Sequence, residues 1–312
     1  TTVGNINVSG ITFNLRGTSD SGRDIDIPAV TDENGVAIFS EIPIGTYTIY
    51  EDEKTVPTAY LVADPQNVTV TYAETKEVPI ENKEKTGSIT VHKTTEGQKN
   101  IEGIKFYLRG TSDSGRAIDI PATTDKDGIA KFDGVPIGTY MVIEDEETVP
   151  YGYLVADEKE VKVEYAQTID ETILNNEQTG TVKVHKKTAD MTNVEGIRFI
   201  LSGISDTGRE IRIEATTDKD GLAKFEGVPV GTYTITEDGS TVPYGYLVAD
   251  SKQVTVAYAQ TVDTDMVNEK APDTPNTGVT DNDSDGSKAL CSVAIILAGA
   301  AIVMFSRKRK ER

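Results

Sequence analysis

From its first residue to about residue 270 the chain copies itself every 93 positions, with no insertion or deletion. Leu15-Arg16-Gly17-Thr18-Ser19-Asp20-Ser21-Gly22-Arg23 returns unchanged at Leu108 to Arg116, and in variant form at Leu201 to Arg209. Tyr60-Leu61-Val62-Ala63-Asp64 returns at Tyr153 to Asp157 and at Tyr246 to Asp250. A period this long exceeds that of solenoid repeats and equals a whole small domain. The chain is therefore expected to form three like modules, 1–84, 85–177 and 178–270, each burying its own modest core.

Within each copy, short runs of Val, Ile, Thr and Tyr are broken by Gly, Pro and Asp. Such runs between turn residues read as strands of all-β modules. Asp125-Lys126-Asp127-Gly128 marks one hairpin turn, followed by a strand at Ile129 to Phe132 and a bend at Val135-Pro136-Ile137-Gly138. An Asp-Gly turn suits the positive φ that a tight hairpin requires. No stretch of the repeats has convincing helical periodicity, so each module is predicted to be an antiparallel β-sandwich.

Side chains alternate faces along a strand. In Gly87 to Lys93 one face reads Ile89, Val91, Lys93 and the other Ser88, Thr90, His92. One period later Val182, Val184 and Lys186 share a face, while Lys183, His185 and Lys187 point outward. A glutamate behaves likewise: Tyr140, Val142 and Glu144 are in phase, as are Tyr233, Ile235 and Glu237, and Tyr47, Ile49 and Glu51. An asparagine completes the set, with Ile173 and Asn175 in phase, then Met266 and Asn268, and Ile80 and Asn82. A lysine, a glutamate and an asparagine thus fall on the core side of each complete copy.

Burying such groups singly costs several kcal/mol each, and a lone lysine in this position snorkels its ammonium to water. Their recurrence in register favours burial together. Desolvation lowers a lysine pKa and raises a glutamate pKa, giving a neutral, nucleophilic amine beside a neutral acid. Glu144 is then expected to polarise the Asn175 carbonyl while Lys93 attacks its carbon, the glutamate shuttling protons as ammonia leaves. The product is a Lys–Asn amide cross-link made once, by the protein on itself.

The modules resemble the Cna B-type, or SpaA-like, isopeptide-forming domains of Gram-positive surface proteins. The residues that carry the resemblance are Val-His-Lys93-Thr-Thr and Val-His-Lys186-Lys-Thr, Gly138-Thr139-Tyr140 leading to Glu144, Val149-Pro150-Tyr151-Gly152-Tyr153, and the Asn before each charged linker. The resemblance implies a prealbumin-like, inverse-immunoglobulin β-sandwich with the Lys on the first strand, the Asn on the last and the Glu between. Carried over, Lys93 is bonded to Asn175 and Lys186 to Asn268, with Glu144 and Glu237 assisting. In the first copy Thr1-Thr2 align with Thr94-Thr95, so the lysine falls one position before residue 1 and the module is expected to lack its first strand. Glu51 and Asn82 are left an orphaned pair, and the chain reads as part of a longer, exported protein.

Beyond the repeats stands Thr274-Pro275-Asn276-Thr277-Gly278, followed by an acidic spacer to residue 288, a mostly apolar stretch over 289–306 and the basic tail 307–312. The apolar stretch is just long enough to span a bilayer as one helix, and the tail fits a cytoplasmic stop. The Pro-x-Thr-Gly pattern resembles a sortase sorting signal, with Thr274 where the common form has Leu. The resemblance implies cleavage between Thr277 and Gly278, attachment of Thr277 to peptidoglycan, a disordered spacer, only transient membrane insertion, and a protein that ends extracellular and wall-anchored.

Other chemistries find little support. Asp281 to Gly286 mimics the start of an EF-hand loop, but its twelfth position is Ser292. His92 and His185 lie on outward faces of different modules, and no metal or cofactor site is expected. No nucleophile elbow, phosphate loop or zinc spacing occurs. A net charge of −20 argues against a nucleic-acid partner, and the single cysteine, Cys291, excludes disulfides in the repeats. The reading is a non-enzymatic stalk of an adhesin or pilus-type protein with sortase and peptidoglycan as partners. Three alternatives remain open. The repeats display an upstream enzymatic or host-binding domain; the chain is a sortase-polymerised pilin, although no Tyr-Pro-Lys motif appears; or the Arg-Gly-Thr-Ser-Asp loops bind a host ligand.

Overall fold

The computed structural model describes residues 2, 9–98, 101–190 and 194–272. The expected sorting motif Thr274 to Gly278, the spacer, the apolar stretch 289–306 and the tail lie outside the described residues. Among the described residues no helix is long and apolar enough to cross a membrane.

The repeats are all-β, as the residue pattern predicts. The first module contributes β1 (Thr12–Thr18), β2 (Asp24–Val30), β3 (Gly45–Glu51) and β4 (Gln66–Val70), in the sheet order β2-β1-β3-β4. The second contains β5 (Thr86–Thr95), β6 (Lys105–Ser112), β7 (Ala117–Thr123), β8 (Ile129–Pro136), β9 (Gly138–Glu144), β10 (Lys159–Val163) and β11 (Thr168–Asn175). Their sheets run β10-β9-β6-β7 and β11-β5-β8. The third repeats this with β12 (Thr179–Thr188), β13 (Arg198–Ser205), β14 (Glu210–Thr216), β15 (Leu222–Pro229), β16 (Gly231–Glu237), β17 (Lys252–Val256) and β18 (Thr261–Asn268). Its sheets are β14-β13-β16-β17 and β15-β12-β18.

One pairing departs from the purely antiparallel expectation. The first strand of each complete module runs parallel to the last, β5 beside β11 and β12 beside β18. Both strands therefore reach the same end of the sandwich together, which brings Lys and Asn within reach of one another.

Each core lies between its two sheets. In the second module Ile89, Val91, Phe106, Phe132, Tyr140 and Val142 are almost wholly buried, and the third module repeats them as Val182, Val184, Phe199, Phe225, Tyr233 and Ile235. Burying each such side chain contributes about 1.5–3 kcal/mol. The buried Tyr140 hydroxyl donates to the Pro136 carbonyl at 2.8 Å, and Tyr233 does the same to Pro229 at 2.9 Å. Burial pushes both phenols up to about 12.

Candidate functional site

The site in the second module begins with the pleat of β5, whose residues alternate half-buried and buried from Thr86 to Thr95. Lys93 falls in the buried phase with Ile89 and Val91, while His92 faces out and pairs with Asp170 at 3.0 Å. The hairpin turn buttresses the lysine from behind: Lys93 N–H donates to the Gly128 carbonyl at 2.7 Å. Gly128 has φ +75, and a Cβ there would stand 2.8 Å from the Lys93 carbonyl oxygen. Only glycine serves both demands.

Asn175 comes from the parallel neighbour. Register sets Ile173 opposite Lys93 and Asn175 opposite Thr95. Glu144 comes from the facing sheet, at the end of β9 and opposite Phe106. The three side chains meet across the core. Lys93 Nζ lies 3.4 Å from Glu144 Oε1, with the two side chains 0% and 1% exposed. The ammonium also donates to the Thr94 and Ile173 carbonyls at 2.9 and 3.1 Å. Glu144 Oε2 accepts from Ala156 N–H at 2.8 Å and from Asn175 Nδ2 at 2.6 Å.

The third module reproduces the arrangement. Lys186 Nζ stands 2.9 Å from Glu237 Oε1 and donates to the Met266 carbonyl at 3.3 Å. Glu237 Oε2 accepts from Ala249 N–H at 2.7 Å and Asn268 Nδ2 at 2.6 Å. Lys186 N–H donates to the Gly221 carbonyl, again at 2.7 Å. Both lysines are held below the ordinary value of 10.5, first by loss of hydration and against the opposing pull of the paired glutamate.

In the first module Glu51 Oε2 accepts from Asn82 Nδ2 and from Ala63 N–H, both at 2.6 Å. Thr2 bridges Asn82 in parallel, as Thr95 faces Asn175. Among the described residues Glu51 has no ion-pair partner, and its Oε1 has no hydrogen-bond partner.

One detail departs from the sequence reading. The glutamate holds the amide nitrogen of the asparagine, not its carbonyl. The amide cannot be turned over, because Asn175 Nδ2 also donates to the Leu154 carbonyl at 2.5 Å and Asn268 Nδ2 to the Leu247 carbonyl at 2.8 Å. A carbonyl only accepts, so it fixes which end of the amide faces it. Both asparagine Oδ1 atoms are buried without a hydrogen-bond partner. The glutamate therefore touches the amine with one oxygen and the amide NH2 with the other. A carboxyl group so placed can carry protons between the amine and the amide nitrogen.

The SpaA family of prealbumin-like fold domains matches the chain three times, at residues 2–84, 87–178 and 180–270. The chain belongs to this family. Among solved structures, the Bacillus anthracis TIE protein is 20% identical with a TM-score of 0.58, over 83% of this chain and 47% of that one. The chain thus spans about half the length of that relative, and the likeness shows a shared fold. A streptococcal ancillary pilin is 18% identical with a TM-score of 0.35, over 85% of this chain and 94% of its own. The shaft pilin SpaA from Lactobacillus rhamnosus GG is 16% identical with a TM-score of 0.29, over 61% and 100%. No curated protein matches the sequence.

Lys93, Glu144, Asn175, Lys186, Glu237 and Asn268 lie on the core faces that strand phase predicts, and each set comes together in one module. Strand phase does not reveal the main-chain groups that complete the sites, the carbonyls of Thr94, Ile173, Met266, Leu154 and Leu247 and the amides of Ala156 and Ala249. Backbone groups carry no side-chain signature, but Leu154-Val155-Ala156 lies inside the repeated Tyr153 to Asp157 segment, and that repetition was the available signal. Among the described residues no cluster of His, Cys, Asp and Glu suits a metal ion.

Proposed function

We propose that this SpaA-family chain is the structural stalk of an extracellular surface protein of pilus or adhesin type, stiffened by intramolecular Lys93–Asn175 and Lys186–Asn268 isopeptide bonds. The carrying observation is that, twice, a buried lysine and a buried asparagine meet the two oxygens of one buried glutamate. As a merely structural ion pair the lysine and glutamate lose several kcal/mol of hydration per ion, whereas the cross-link removes the charge altogether.

The reaction balances on the groups present. Lys93 Nζ gives a proton to Glu144 Oε1 and attacks Asn175 Cγ. The Nζ–Cγ bond forms, a second proton passes from Nζ through Glu144 Oε2 to Nδ2, the Cγ–Nδ2 bond breaks and ammonia leaves, with the first proton retained on Glu144 as a neutral acid. The lowered lysine pKa increases the fraction of neutral amine at any given pH. The unpaired Asn175 Oδ1 becomes the oxyanion of the tetrahedral intermediate. Glu237 performs the same role for Lys186 and Asn268.

Anchoring follows from Thr274-Pro275-Asn276-Thr277-Gly278 and the apolar and basic segments after it. A sortase would cleave after Thr277 and transfer it to peptidoglycan, and the apolar segment would hold the chain at the membrane only until then. Membership of the SpaA family of prealbumin-like fold domains supports a load-bearing, non-enzymatic role outside the cell.

The mass of the intact folded chain tests the bonds. It should fall below the sequence mass by two ammonia molecules, and Glu144→Ala should restore one of them. A mass equal to that of the plain sequence sinks the cross-link. For anchoring, Thr277→Ala should release the protein from the wall into the medium, and undiminished wall attachment would refute the sorting motif.

A further inference from the structure

The loop Ser-Asp-Ser/Thr-Gly-Arg recurs in all three modules, and the isopeptide site does not use it. At each copy the first Ser hydroxyl meets the hydroxyl two residues on, at 2.9 Å for Ser19–Ser21 and 2.7 Å for Ser112–Ser114 and Ser205–Thr207. The same Ser oxygen accepts from the arginine N–H at 3.0 Å in every copy. A hydrogen-bonded loop that presents a hydroxyl and a guanidinium side by side is a carboxylate receptor by chemistry.

Two of the three receptors are filled from the module before. Glu84, two residues past Asn82, accepts from Arg116 Nη2 at 2.7 Å and from the Ser114 hydroxyl. Glu177, two residues past Asn175, accepts from Arg209 Nε at 2.9 Å and from the Thr207 hydroxyl. The Glu84 side chain is 5% exposed and that of Glu177 is 0%, although both residues sit in linkers. The residue after each glutamate threads the same seam. Lys85 N–H donates to the Ala59 carbonyl behind it while its own carbonyl accepts from Ile137 N–H ahead, and Gln178 bridges Gly152 and Val230 likewise.

The first and last modules supply internal comparisons. At the first loop no carboxylate reaches Arg23 among the described residues, and Ser21 and Arg23 are exposed where Ser114 and Thr207 are buried. At the exit of the third module the glutamate position holds Lys270, which pairs with Asp190 of its own module at 3.4 Å. At both joints within the chain the receptor and a glutamate occur together, and after the third module a lysine takes the glutamate's position.

We propose that the Ser-Asp-Ser/Thr-Gly-Arg loop is a docking receptor for the exit glutamate of the preceding module, and that this clasp fixes the angle at each joint. The partner it fits is a like module ending in Asn-x-Glu. The proposal is independent of whether the isopeptide bonds form. It also gives the Arg-Gly-Thr-Ser-Asp segment a use other than binding a host ligand.

The test uses the full chain with Cys291→Ser and spin labels at Lys126→Cys and Lys219→Cys, both exposed positions on either side of the second joint. Pulsed electron resonance reads the label-to-label distance distribution. Arg209→Gln, at a side chain 41% exposed, is a mild variant. It should at least double the width of the distribution while core methyl shifts of both modules stay put. Glu177→Gln should widen it as much, and the double variant no further than either single one. An unchanged width in Arg209→Gln, or widening that adds in the double variant, would overturn the clasp.

Discussion

Asn175→Ala removes the acceptor carbon of the second module and leaves the Lys93–Glu144 pair and the third module intact. With the bond present, tension entering at Lys93 passes through its side chain to Asn175 and bypasses residues 94–174, so the second module cannot lengthen. Without it, rupture of the fold frees the 82-residue span from Lys93 to Asn175, which at about 3.4 Å per residue releases about 280 Å of contour. The thermodynamic consequence follows from the same span. By analogy with disulfide loops, closing about 80 residues is worth about 4.5 kcal/mol through the unfolded chain. At about 4–8 °C per kcal/mol for a module of this size, its melting transition should fall by about 18–36 °C. The assay is single-molecule stretching of the chain tethered beyond residues 86 and 270. Wild type should show no full-length rupture of the second and third modules, and Asn175→Ala one step of about 280 Å. Full-length steps from both modules in wild type, or none in the variant, would refute the reasoning.

Titration separates the two forms again. In Asn175→Ala the buried lysine binds its proton less tightly folded than unfolded, so folding expels protons and stability rises with pH up to the ordinary lysine value of 10.5. Denaturant midpoints from pH 7 to 9.5 should climb in the variant relative to wild type, in which the proposed bond would leave no lysine to titrate, and parallel curves would count against the burial argument. Gly128→Val forces a β-branched residue to φ +75 against the Lys93 carbonyl, and should destabilise the second module by more than about 1 kcal/mol and slow its loss of ammonia. Tyr140→Phe leaves the buried Pro136 carbonyl without its donor and should cost about 1–3 kcal/mol by chemical denaturation while the bond still forms.

How much of this was legible in the sequence depended on range. Strand alternation is local, so Ile89-x-Val91-x-Lys93 already declared a lysine on the core face, and the 93-residue period turned one coincidence into a pattern. That the first and last strands run parallel was invisible, since pairing partners are about 80 residues apart and alternation is silent about direction. The asparagine's orientation was misread because it is set by Leu154, a main-chain carbonyl. Glu84 and Glu177 were not singled out in the sequence, and they are buried because their partners lie 30 and 32 residues ahead, in another module. Their signal was present all the same: both glutamates keep step with Arg116 and Arg209, and Lys270 breaks the series at the third exit.

The two proposed devices would also divide the load between them. With both bonds in place, the covalent path runs from Lys93 across to Asn175, through residues 176–185, and from Lys186 across to Asn268. Everything between each lysine and its asparagine is sheltered, and only those ten residues carry tension with nothing but non-covalent contacts to hold them. They hold Glu177 in the clasp with Arg209 and Thr207, Gln178 between Gly152 and Val230, and the leading half of β12. Yielding of that stretch lengthens the chain by at most about 35 Å, nearly an order of magnitude less than losing a module. With the proposed bonds the joint would be the one compliant element between two inextensible ones. A carboxylate–guanidinium clasp suits it, because such a pair re-forms when tension is released while an amide bond cannot.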